Sequence, residues 1–132
     1  MRKLFLSGVI LFFAVMALMS FRVQPFSGDP QEKTSAFAPE DVQKIIENSC
    51  FDCHSDLSTN PKSLDKLNFT KWDTYTDVKK VAKLSDMSDE LSKNEMPPAK
   101  YLEKFPDKAL TPDQKKAIVD WTDQASKKLM GE

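Results

Sequence analysis

Residues 50–55 read CFDCHS and hold both cysteines and the only histidine of the 132-residue chain. Cys50, Cys53 and His54 stand at i, i+3 and i+4, the spacing that puts three side chains on one face of a helix. Two thiols so placed can form thioethers to the two vinyl groups of one porphyrin, and the adjacent imidazole can reach the iron from the same side. C-x-x-C-H is the signature of that c-type haem attachment. Other uses of the same residues fare worse. A Cys50–Cys53 disulfide would close a very short loop and leave His54 without a role. A thioredoxin-like redox pair needs a βαβ setting. A closed zinc site needs four ligands, and no further Cys or His exists to complete the three.

With His54 as one axial ligand, the candidates for the opposite face are methionine, lysine, water or nothing. Bis-histidine ligation within one chain is impossible. Beyond the leader the methionines are Met87, Met96 and Met130. Met130 lies at the chain end, and Met87 sits in a short helical pattern that suits simple core. Met96 opens MPPAKY, where two prolines stiffen the backbone and remove amide donors. A stiff loop can hold a thioether over a haem face at little ordering cost. Met96 is therefore the expected distal ligand, against the plainer reading of a loop methionine packed on Tyr101. His/Met ligation leaves no vacant position on iron and raises its potential. It describes an electron carrier better than an enzyme.

The elements that must position these residues read as helices. Residues 39–55 open on Pro39 and two acids, as a helix start does, and Val42, Ile45, Ile46, Cys50 and Cys53 recur at helical spacing. NFTKWDTYTDVKKVAKL predicts a second helix capped by Thr70, with Trp72, Tyr75, Val78, Val81 and Ala82 as its buried stripe. SDMSDELSKNE predicts a short third helix. MPPAKYLEKFPDKAL is too rich in proline for a helix and reads as a loop. In TPDQKKAIVDWTDQASKKLM, Thr111 caps, Pro112 takes the first helical position and Gln114 completes a capping box. Ile118, Trp121, Ala125 and Leu129 form its stripe, and Gly131 can end it. No stretch keeps a strand period, so the predicted class is all-α.

Arg2 and Lys3 followed by an apolar run over residues 4–21 read as a secretory signal or a retained membrane anchor, 1–22. Residues 23–37 read as a flexible tether, and 38–132 as the folded domain. The expected location is the periplasm, free or anchored to the inner membrane. Sixteen basic and 20 acidic residues lie beyond position 22. That acidic balance argues against nucleic acid as a partner. No glycine occurs between Gly28 and Gly131, which disfavours a phosphate-cradling loop. A domain this small has a marginal core, so the haem-free chain is expected to be a loose helical ensemble.

From Cys50 to Trp121 the chain resembles the small haem-binding domain family of exported bacterial proteins, related to monohaem c-type cytochromes. CFDCHS, LNFTKW, NEMPPAKYL and LTPDQKKAIVDW carry the likeness, in that order. The resemblance implies a small cytochrome c-like helical domain around one covalent haem c and its iron. Cys50 and Cys53 would hold the haem, His54 would be proximal and Met96 distal. Many members have a longer Trp/Pro-rich stretch after the haem motif. Here it is only DLSTNPKSLDK, so the contacts of that loop do not carry over, Pro61 beside His54 included. Trp72 and Trp121 are expected in the core rather than at the propionates. The expected activity is single-electron transfer with redox partner proteins of the cell envelope, by a monomer that is not itself an enzyme. The alternative is a haem-based sensor or ligand-binding module with a displaceable or open sixth position.

Overall fold

The structure, a computed structural model, describes residues 36–132. The predicted leader (1–22) and most of the predicted tether lie outside the described residues. Among the described residues no helix is long and apolar enough to cross a membrane, and helices make up the fold without any strand.

Helix α1 (Glu40–His54) follows Pro39 and carries Glu40 and Asp41 in its first turn, where acids suit the positive end of the helix dipole. It buries Val42, Ile46 and Ser49 and stops at Ser55, whose backbone is extended. Helix α2 (Pro61–Lys66) is a short piece capped by Asn60, whose side chain accepts from the amides of Lys62 and Ser63. A 3₁₀ turn (Phe69–Thr74) leads to α3 (Asp77–Ser92). Helix α4 (Ala99–Leu102) and a second 3₁₀ turn (Pro106–Lys108) precede α5 (Pro112–Met130). The reciprocal capping box of Thr111 and Gln114 is present on α5, and Gly131 ends it at φ 83°, a conformation that suits glycine.

The middle of the chain departs from the sequence pattern. Thr70 does not start a long helix. Asn68 caps the 3₁₀ turn by accepting from Thr70 N, Tyr75 is extended, and Thr76 caps α3 by accepting from Lys79 N. Both caps are strong, and each starts its own element, so the predicted second helix splits. From Thr76 the chain runs without a Pro or Gly to Ser92, and α3 absorbs the predicted third helix. The new start changes the buried face. Leu84 and Leu91 are its buried residues, whereas Val78 is 83% exposed and Ala82 is exposed. The proline-rich 96–110 stretch is also not wholly a loop. Pro98 caps the single turn of α4, and Pro106 takes the first position of the second 3₁₀ turn, where its missing amide costs nothing.

Helix α3 packs along α5, and α1 packs on α5, α2 and the first 3₁₀ turn. Ile46, Leu84 and Ile118 meet fully buried at the centre, with Phe69, Trp72 and Trp121 beside them. Phe37, which the composition places last in the tether, stacks on Phe69 with ring centroids 4.9 Å apart. Ile118→Ala removes a side chain with no exposed surface, and should lower the unfolding free energy by about 2–4 kcal/mol. A shift of the urea midpoint at unchanged slope would report it.

Candidate haem site

A cleft of about 370 Å³ opens beside the last turn of α1, a volume typical of small-molecule sites. Cys50, Cys53, His54, Met87 and Met96 all line it, with Phe69 and Ile118 among its apolar residues. The four residues singled out from sequence thus face one space. Met87, read as core, shares that space with Met96.

The orientation of His54 is set by the chain after it. Its Nδ1 lies 3.0 Å from the Leu67 carbonyl oxygen. A carbonyl only accepts, so in the neutral ring Nδ1 carries the proton and Nε2 keeps its lone pair. A backbone carbonyl on the far nitrogen is the usual way a metal-binding histidine is aimed and made more basic. Leu67 is fixed in turn. The amide of neighbouring Asn68 donates to the Tyr75 hydroxyl at 3.0 Å, and its side chain donates to Asp56 at 2.6 Å. Asp56 N donates to Thr70 Oγ1 at 3.1 Å, and Ser55 Oγ donates to the Phe51 carbonyl at 2.8 Å. Asn68 and Ser55 are both buried. Leu67, rather than Pro61, supplies the backbone oxygen. The sequence held one clue: an Asn positioned as a cap immediately after Leu67.

Both cysteines are free thiols, so the disulfide reading has no support. Burial first, and the neighbouring Cys53 second, push the Cys50 thiol up to about 12. Cys53 is raised more mildly, by burial and then by Asp52. In haem-free protein Cys50 should therefore alkylate with iodoacetamide roughly a thousandfold more slowly than an unperturbed cysteine, because only the thiolate reacts. Peptide mass spectrometry at neutral pH would read both sites, with Cys53 labelled first.

The cleft also carries a contact that the sequence did not announce. Tyr101, on α4, donates from its hydroxyl to Asp52 Oδ2 at 2.5 Å. That bond ties the segment following Met96 to one of the two residues between the cysteines. Burial and then the Asp52 carboxylate raise the Tyr101 hydroxyl well above its usual range, so it remains a donor at neutral pH.

The donor set suits haem. Two unlinked thiols, an imidazole with a free Nε2 and two thioethers surround a largely apolar cleft. Among the described residues no three His, Cys, Asp or Glu side chains come together as ligands for a bare metal ion.

Residues 61–124 match the family model described as Haem-binding domain. This match supports a haem-binding domain over those residues. The match runs from the first residue of α2 into α5, and so covers the Leu67 carbonyl, both cleft methionines and Tyr101. It begins beyond His54. The assignment of Cys50, Cys53 and His54 therefore rests on their spacing and their common cleft. No curated protein and no solved structure matches the chain.

Proposed function

We propose that the haem-binding domain is an exported monohaem c-type cytochrome that passes single electrons. The observation that carries this reading is the meeting of Cys50, Cys53, His54 and Met96 on one cleft. In this reading the two thiols would hold the haem covalently, each adding its sulfur to one vinyl carbon and its proton to the other, with no oxidant or reductant consumed. His54 Nε2 and Met96 Sδ would be the protein's ligands to its iron. The haem supplies the one-electron redox chemistry; the protein supplies attachment, orientation and a dry pocket.

The chain's own residues support each part. The Leu67 carbonyl keeps the Nδ1 proton and presents Nε2. Tyr101 and Asp52 hold the Met96 segment across the cleft. Phe69 and Ile118 give the cleft apolar surface. The basic start and apolar run of residues 2–21 support export to the periplasm, as a cleaved or anchored form, with redox proteins of the cell envelope as partners and a monomer as the working unit. Expression in cells that mature c-type haem, followed by extraction with acidified organic solvent, tests the proposal. Haem that stays with the polypeptide, and gives the alkaline pyridine spectrum of two thioethers, upholds it. Haem that is fully extracted, or absent, overturns it.

A further inference from the structure

The cleft is electrically lopsided along α3. Lys83, Asp86, Met87, Glu90 and Leu91 of that helix line it, at the i, i+3, i+4, i+7, i+8 spacing of a single face. Lys83 stands nearest the start of α3, and the two acids follow toward its end. From Lys83 to Glu90 the helix rises about 10 Å, comparable to the width of a porphyrin. Lys66, at the end of α2, is the second cation on the cleft, and the two lysines are its only cations among the described residues. They meet, because Lys83 Nζ donates to the Lys66 backbone carbonyl. An ammonium has three donors, so two remain. Neither lysine is in an ion pair among the described residues, although Asp86 lies one turn from Lys83.

We propose that Lys83 and Lys66 form the carboxylate end of the cleft and bind the haem propionates, fixing the haem with those groups toward the α2–α3 side. The inference rests on the haem reading above. Propionates placed toward the other end of this face would meet Asp86 and Glu90 and leave both ammonium groups without a carboxylate partner. Like charges brought together in a partly buried site are strongly unfavourable, and opposite ones fix register. Lys83 is half-buried and already anchored by one hydrogen bond, so little side-chain freedom remains to be lost when it pairs. Asp52, the third acid on the cleft, is engaged by Tyr101.

The test uses the full-length haem-loaded protein, reduced and saturated with carbon monoxide if its sixth position is open, so that it is diamagnetic. Nuclear Overhauser cross-peaks from the propionate methylene protons should reach the Lys83 and Lys66 side chains and not Asp86 or Glu90. In K83Q the propionate bending mode of the resonance Raman spectrum should shift. It should move less in K66Q and stay put in K128Q, which removes the same charge at an exposed position. Propionate cross-peaks to Glu90 or to the Met96 segment overturn the orientation while leaving the haem reading intact. An unshifted mode in both K83Q and K66Q removes the lysines' role. A visible spectrum without haem would instead overturn the reading on which the inference rests.

Discussion

Replacing both Cys50 and Cys53 with alanine should leave a protein whose haem, where any is captured, is stripped completely by acidified organic solvent. Each single alanine variant should retain one thioether and shift the alkaline pyridine spectrum toward that of a haem with one free vinyl. The stability effect should be large. A tethered haem is present at an effective concentration fixed by its attachment, and a ligand at a thousand times its dissociation constant adds about 4 kcal/mol to the native state. The double variant should therefore lose about 4 kcal/mol on urea unfolding. The cysteines themselves explain the smaller share, since cysteine to alanine removes only the sulfur from each side chain. Near-ultraviolet dichroism supplies an independent check. Phe69, Trp72 and Trp121 pack together beside the cleft, Trp72 and Trp121 at 6.4 Å between ring centroids. Their fixed signals should fade in the double variant while far-ultraviolet helix signals persist. A double variant with unchanged stability and retained haem would sink the covalent reading.

The second large effect concerns the sixth position. Met96→Ala should change the reduced protein from one that resists carbon monoxide to one that binds it at once, and should abolish a methionine-to-iron band in the oxidised spectrum. A ligand that must displace a methionine bound by about 3 kcal/mol loses roughly a hundredfold in apparent affinity, and the alanine variant should regain it. Met87→Ala is the needed comparison, because Met87 lines the same cleft from α3. It should leave carbon monoxide binding unchanged. If the two variants exchange behaviour, Met87 is the ligand. If the native protein binds carbon monoxide freely and neither variant differs, the sixth position is open and the sensor reading replaces the carrier. Tyr101→Phe separates attachment of the methionine from its positioning. It keeps the ring and breaks the bond to Asp52, so carbon monoxide binding should rise to a level between native and Met96→Ala, with the methionine band still present.

How far each part was legible depends on how local its cause is. The C-x-x-C-H spacing, the capping box of Thr111 and Gln114, and the terminating Gly131 depend on neighbours within about one helical turn, so the sequence alone placed Cys50, Cys53 and His54 together on one helix, and placed the last helix. The all-helical class came from periodicity in the same way. Met96 was singled out by the two prolines after it, again a local signal.

The middle of the chain was misplaced because it offers competing caps. Thr70 reads as a start, yet its hydroxyl accepts from Asp56, a partner 14 residues away, while Asn68 and Thr76 set the real starts. Moving the start of α3 to Asp77 turned Val78 to solvent and Leu84 into the core. Only tertiary structure decided what surrounds the site. The Leu67 carbonyl behind His54, the Tyr101–Asp52 bond across 49 residues, Met87 on the same cleft as Met96, and the paired lysines at one end all depend on packing between elements distant in sequence. A backbone carbonyl carries no side-chain signature at all, and a tyrosine or lysine reads as surface until the fold sets it against a cleft. What the sequence determined by itself was therefore which residues could hold a haem. The packing of α1, α3 and the Met96 segment decided what those residues face, because that depends on long-range contacts no local pattern encodes.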